Sequence, residues 1–212
     1  MIDGLMKDVI DPIWEKMARP LVLLGLSPNQ VTALGMALIT LMSVAYLWHQ
    51  NELVFGLSLA FAFVFDALDG AVARQRGMST KFGGYFDAMI DRYQELVVLM
   101  AIAWVNTLWP LAFLAFSGAI LTSYAKARTA IEIPISNTDW PDFFERLERI
   151  IFTCVLLVLA GIIARDWVLV WGLGLYALLC HATAVQRARR AAKLLQGIDR
   201  KDQNNTTSGE TL

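Results

Sequence analysis

Asp66, Asp69, Asp87 and Asp91 stand at the edges of two strongly apolar segments, within "FDALDGAVARQRGMSTKFGGYFDAMIDRYQE" (65–95). Residues three or four apart share a face of a helix. Asp66 and Asp69 therefore point the same way at the end of one segment, and Asp87 and Asp91 do so at the start of the next. If the segments run antiparallel across the short 74–83 turn, the two pairs meet. Four such anions cannot all stay ionised without a cation, because like charges raise one another's pKa. Arg74, Arg76, Lys81 and Arg92 are available. Clustered hard oxygens are also what Mg²⁺, Mn²⁺ or Ca²⁺ take as ligands. Paired divalent ions serve phosphoryl transfer, in which one oxygen attacks phosphorus and another leaves.

A set of salt bridges locking the two segments together would use the same acids, but it leaves the glycines unexplained. Gly70 removes a side chain directly after Asp69, and Gly83 and Gly84 open the second segment. Arg74, four residues after Gly70, is placed to reach a phosphate on the same face. A coupling-ion site in a cation transporter is the rival from another functional class. Its acids would lie at mid-depth, often within an inverted repeat; here they lie at an edge, and no internal repeat is visible.

The elements that must position these acids are membrane spans. The chain of 212 residues is 57% hydrophobic, well above an ordinary soluble domain. Apolar runs near the roughly 20 residues needed to cross a bilayer fall at 29–48, 53–73, 84–105, 107–127, 149–165 and 167–187. The fold class read from the sequence is thus all-α integral membrane, with six transmembrane helices in one domain (1–198). Residues 1–20 add an N-terminal interfacial amphipathic helix, since Ile2, Leu5, Met6, Val9, Ile10, Ile13, Trp14 and Met17 recur at helical spacing between charged residues. Pro12 should kink or divide that helix. The polar stretch 199–212 is expected to be a disordered cytoplasmic tail.

Lys and Arg are enriched in cytoplasmic loops. With the N-terminus inside, all but Arg165 of the 18 fall on the inner side or its margin. Both termini and the aspartates are then cytoplasmic, in the cytoplasmic membrane. Cys154 and Cys180 show no metal-ligand or redox spacing. His181 reads as a packing residue with a satisfied hydrogen bond, and nothing in the chain points to nucleic acid.

The run Asp66, Asp69-Gly70, Ala73-Arg74, then Gly83, Asp87 and Asp91 resembles the signature of the CDP-alcohol phosphotransferase family, DxxDGxxAR followed by GxxxDxxxD, with every fixed position filled. The resemblance implies transfer of a phosphatidyl group from a CDP-linked lipid donor to an alcohol, with release of CMP. It implies two ions, Mg²⁺ or Mn²⁺, held by Asp66, Asp69, Asp87 and Asp91, and Asp91 as the base that deprotonates the acceptor hydroxyl. It further implies nucleotide contacts from Asn29, Thr32, Asp69, Gly70, Arg74, Thr80 and Gly83, and a homodimer. Taken alone, "LSPNQVT" (26–32) is a helix start, with Ser27 as cap and Pro28 at the first position.

"SYAKAR" (123–128), "ERLER" (145–149) and "QRARR" (186–190) form a second basic cluster on the cytoplasmic side. Membrane anchoring accounts for Arg189 and Arg190 as readily as function does. Ser123, Lys126, Arg128, Arg149 and Arg187 resemble acceptor-binding positions of the phosphatidylinositol phosphate synthase branch and its archaeal relatives. Three arginines and a lysine suit a phosphorylated alcohol better than a neutral or cationic one. Inositol phosphate is therefore expected, with glycerol 3-phosphate as the alternative. Leu147 stands where that branch usually has proline, and 129–144 differs from its glycine-rich linker.

Overall fold

The computed structural model of the chain describes residues 7–134 and 143–209. The first six residues of the expected interfacial helix, residues 135–142 of the 129–144 stretch and the last three residues lie outside that description. Among the described residues the order is α1 (Lys7–Leu23), α2 (Pro28–His49), α3 (Glu52–Asp66), α4 (Leu68–Arg76), α5 (Lys81–Asn106), α6 (Trp109–Glu132), α7 (Arg146–Ile163) and α8 (Asp166–Gly209).

Local chemistry sets most of the helix ends. At α2, the Ser27 hydroxyl accepts from the Gln30 backbone N–H, while the Gln30 side chain accepts from the Ser27 N–H at 2.8 Å. This capping box, with Pro28 in the first turn, satisfies donors the helix itself cannot. Asn51 caps α3 and Thr80 caps α5 in the same way. α2, α5 and α7 each end on a left-handed residue, Gln50 (φ 49), Thr107 (φ 56) and Ala164 (φ 51). That turn sends the chain straight into the next helix. Successive helices therefore reverse at one end of the bundle, and the starts of α2, α5 and α7 gather with the end of α3 at the other.

The expected 53–73 span is two helices, interrupted at Ala67, so Asp66 closes α3 while Asp69 sits in the first turn of α4. Pro12 does not divide α1, which runs on past Pro20. α8 continues to Gly209, through most of the stretch expected to be disordered. α2, the α3–α4 pair as far as Arg76 and α8 as far as Arg200 are long and apolar enough to cross a membrane.

α6 packs along α8, α3 against α7, and α2 against α3 and α5. The main core includes Ile39, Phe55, Leu59, Ile102, Leu157 and Leu173, with Tyr46 stacked on Phe55 at 4.3 Å between ring centroids. Cys154 and Cys180 are buried in it as free thiols. A smaller cluster, Ala18, Leu21, Val31, Leu68, Ala71 and Val72, fixes α1 against α4. Close helix approach depends on two glycines. A Cβ on Gly161 would lie 2.4 Å from the Leu53 backbone nitrogen, and one on Gly35 would lie 2.9 Å from Asp66 Oδ1.

One ion pair is sealed inside this apolar core. Arg149 on α7, 2% exposed, meets Glu95 on α5 in a two-pronged contact: Nε donates to Oε1 at 2.6 Å and Nη2 to Oε2 at 3.2 Å. Nη1 also donates to the Phe144 carbonyl, and Phe144 packs edge-on against Tyr176. Such a pair aligns two helices, because either charge alone would be stranded.

Two stability outcomes follow. Gly161→Ala should lower the melting temperature of the purified protein, a loss of about 1–3 kcal/mol from forcing α3 off α7, whereas Gly174→Ala, with open space around it, should not. Arg149→Gln should cost about 3–5 kcal/mol by breaking a buried pair and leaving Glu95 only its 3.5 Å contacts with Arg92 and the Tyr176 hydroxyl, read as a large drop in melting temperature; an unchanged melting temperature would show that the pair does not brace the fold.

Candidate active site

The gathered helix ends bring all four aspartates together, in two halves. Asp66 is 3% exposed; its Oδ1 accepts from Gln94 Nε2 at 2.6 Å and its Oδ2 from Arg146 Nη2 at 2.7 Å. The same Arg146 nitrogen lies 2.6 Å from Asp91 Oδ1 and donates to Gln94 Oε1 at 2.6 Å. Asp91 Oδ1 accepts no hydrogen bond despite that approach, so its contact with Arg146 is a charge pairing off the donor direction. Its other oxygen is 3.5 Å from Arg92 Nη2. Arg92 in turn contacts Glu95 at 3.5 Å and donates to the Ser123 hydroxyl.

The other half is open. Asp69 Oδ2 accepts from the Thr32 hydroxyl at 2.6 Å, and Oδ1 from the Gly70 backbone N–H at 2.5 Å. Thr32 belongs to α2 and Gly70 to α4, so the Ala67 interruption is what turns Asp69 away from Asp66 and toward α2. Asp87, on α5, lines the same cleft as Asp69. Both face a cleft of about 260 Å³, whose walls also hold Asn29, Thr32, Gly70, Arg74, Thr80 and Gly83. Every residue expected at the nucleotide thus lines one cavity. Glycine matters here for room: the only neighbour near a Cβ on Gly70 is the Arg74 guanidinium at 3.6 Å, and Gly84 has open space around it.

The expected acceptor residues scatter more. Ser123 sits beside Arg92, within reach of Asp91's surroundings, and Lys126 is half-buried one turn further along α6. Arg187 is buried; Nη1 donates to the Thr122 carbonyl at 2.6 Å, and Nη2 reaches Glu145 at 3.4 Å, tying the end of the bundle portion of α8 to α6 and to the start of α7. Arg128 pairs with Glu132 at 2.5 Å, half exposed, and lines an outer groove between α6 and α8. Arg149 is not in the group at all, being committed to Glu95. His181 rests its Nε2 3.1 Å from the Leu114 carbonyl, a hydrogen-bonded packing position.

The site residues that sequence reasoning left out are Arg146, Gln94 and Glu95; Arg92 stood among the cations available to the aspartates. A signal existed for each: Gln94 and Glu95 follow Asp91 by three and four residues and so share its face. Arg146 opens α7 in the same "ERLER" that contains Arg149. What spacing could not say is which of the two arginines reaches the aspartates.

The family profile described as CDP-alcohol phosphatidyltransferase matches residues 25–182. The chain is 34% identical over 197 residues to the archaetidylinositol phosphate synthase of Pyrococcus horikoshii, covering 92% of this chain and 99% of that one. It is likewise 34% identical to the phosphatidylinositol phosphate synthase of Mycobacterium tuberculosis, over 87% of this chain and 88% of that one. The crystal structure of a Mycobacterium tuberculosis phosphatidylinositol phosphate synthase with CDP-DAG bound superposes with a TM-score of 0.75 at 28% identity, over 85% of this chain and 94% of that one. The same enzyme in complex with manganese and citrate gives 0.74 at 27% identity, over 84% and 88%. With its long apolar helices and a match that includes every aspartate of the cluster, the chain is a membrane transferase belonging to the CDP-alcohol phosphatidyltransferase family.

Proposed function

We propose that the protein transfers the phosphatidyl-type group of a CDP-linked lipid to the hydroxyl of inositol phosphate, releasing CMP. The observation that carries this reading is the junction of two differently built halves: a cleft walled by Asn29, Thr32, Gly70, Arg74, Thr80 and Gly83 with Asp69 and Asp87 in its lining, and the Asp66–Asp91 pair held by Arg146. The cleft suits a nucleotide pyrophosphate, and the carboxylates suit the cations such a group brings.

The donor set fits divalent metal. Asp66, Asp69, Asp87 and Asp91 offer hard oxygens from three helices, already oriented by Gln94, Thr32 and the Gly70 N–H, and they would hold Mg²⁺ or Mn²⁺, two ions in the reading favoured here. Bound there, the ions neutralise pyrophosphate charge and make CMP a better leaving group. The chain's own residues do the rest. Arg74, in the cleft wall, pairs with donor phosphate, and the bare Gly83 and Gly84 let the nucleotide approach α5 closely. Asp91 accepts the proton of the acceptor hydroxyl as that oxygen forms its bond to phosphorus and the phosphorus–oxygen bond to CMP breaks. Ser123, which accepts from Arg92 beside Asp91, and Lys126 and Arg187 on the same side of the bundle are the groups offered to the acceptor's phosphate.

The six-span reading is supported by the two-residue reversals, by helices of 18 residues or more from α5 to α8, and by an apolar exterior that includes Phe113, Trp171 and Leu178. Exposed Trp48, Trp104, Trp109 and Trp167 all lie near the reversal end, as an aromatic belt at one interface would. The acids and nearly all basic residues lie at the other end, which supports a cytoplasmic site and termini. Exposed Ile13, Met17 and Leu23 on α1 suit a helix lying in the interface. The whole then forms one membrane domain, and family resemblance extends the reading to a homodimer.

Asp91→Asn should reduce CMP release from CDP-diacylglycerol by about 100-fold or more, the scale of a lost general base, with the melting temperature near wild type; release at the normal rate would remove Asp91 from that role. In a screen of inositol 1-phosphate, glycerol 3-phosphate, serine, choline and free inositol with Mn²⁺ or Mg²⁺, only inositol 1-phosphate should give lipid product, and chelation with EDTA should abolish it. Product with glycerol 3-phosphate instead would reassign the acceptor, and no CMP from any acceptor would favour the cation-transporter reading.

A further inference from the structure

Arg146 has an arrangement that an ordinary salt bridge does not need. One nitrogen, Nη2, has three oxygens about it: Asp66 Oδ2 at 2.7 Å, Asp91 Oδ1 at 2.6 Å and Gln94 Oε1 at 2.6 Å. A guanidinium Nη carries two hydrogens, so the three cannot all be served, and Asp91 Oδ1 is the one left without a hydrogen bond. The crowding of several oxygens around one positive point is the geometry of a cation site with an arginine tip set into it.

The rest of the side chain is weakly held. Arg146 Nε is buried and has no hydrogen-bond partner, in contrast to Arg149, one turn deeper, whose Nε, Nη1 and Nη2 all donate. Arg146 is also the first residue of α7, with a side chain 26% exposed, so its guanidinium can withdraw toward solvent without breaking a helix turn. The two halves of the cluster differ in this respect: Asp69 and Asp87 look into the cleft, while Asp66 and Asp91 are bridged by the arginine.

We propose that Arg146 is a displaceable counterion for the carboxylate cluster: it holds Asp66 and Asp91 together before a divalent cation binds, and the cation must expel it to use those oxygens. This rests on the reading of the aspartates as metal ligands. A divalent ion brings two positive charges to oxygens already paired with Arg146, and at such range the guanidinium and the ion repel each other. The arginine therefore lowers the apparent affinity for the ion while preventing the buried Asp66 and Asp91 from repelling each other apart. Arg146 is on this account a positioning residue, acting on the site through Asp66 and Asp91.

The test is Mn²⁺ binding to metal-stripped, purified protein, followed by the electron paramagnetic resonance signal of free Mn²⁺, for wild type, Arg146→Gln and Arg146→Lys, together with melting temperatures with and without Mn²⁺. Arg146→Gln should bind Mn²⁺ about tenfold more tightly, a coupling in the range usual for competing ligands, melt lower than wild type without metal, and gain more in melting temperature when Mn²⁺ is added. Arg146→Lys, which keeps the charge and loses the fork, should fall between and keeps the comparison open if the glutamine variant does not fold. Equal or weaker Mn²⁺ binding in the variants would overturn the counterion role while leaving the metal site intact. Failure of wild type and variants alike to bind Mn²⁺ would overturn both this proposal and the assignment of the aspartates.

Discussion

Four carboxylates can share the end of a helix bundle only where something holds each of them against the repulsion of the others, and much of this molecule is arranged around that requirement. Asp66 is kept by Gln94 and Arg146, Asp69 by Thr32 and the Gly70 N–H, and Asp91 by Arg146 and Arg92. These partners come from α2, α4, α5 and α7. These contacts join α2 to α4 and α3 to α5 and α7, so a shift within either set would unpair an acid, and the charge problem is tied to the packing of this end of the bundle. Gly35 belongs to the same constraint, because α2 must pass close enough to Asp66 that a side chain at that position would collide with it.

The opposite end carries almost no chemistry and supplies order. Its short reversals through Gln50, Thr107 and Ala164 fix the antiparallel succession that delivers helix starts and ends to the carboxylates. Tight connections there leave the length variation of the fold to the site end, where the 77–80 turn and the connection between α6 and α7 run. That division suits the proposed reading, in which the apolar belt would sit at bilayer depth and the polar site would open where water, nucleotide and headgroup meet.

Depth along one helix separates the duties of two arginines of the same short motif. Arg146 and Arg149 are three residues apart, about 4.5 Å of helical rise. The shallower one meets two aspartates and a glutamine at the mouth of the site. The deeper one is enclosed by Glu95, Phe144 and Tyr176 and helps to align α5 with α7. A family resemblance that places Arg149 at the acceptor overlooks how quickly the environment changes over a single turn where the bundle closes.

The sequence by itself determined the reaction class and the order of the helices. The reaction class came through the resemblance of the aspartate and glycine motif to a family signature, and the helix order through apolar runs of bilayer length and a helix start before α2. The gathering of Asn29, Thr32, Gly70, Arg74, Thr80 and Gly83 in one cleft agrees with that reading, because each lies within a turn or two of an aspartate or of a helix start. The interruption at Ala67 was not legible, since alanine favours helix and neither glycine nor proline marks the break. Nor were the partners of Arg146 and Arg149. Asp66 and Arg146 are 80 residues apart, and Glu95 and Arg149 are 54 apart. Which charge meets which at those separations depends on the relative rotation and depth of packed helices, and only the tertiary structure decides that.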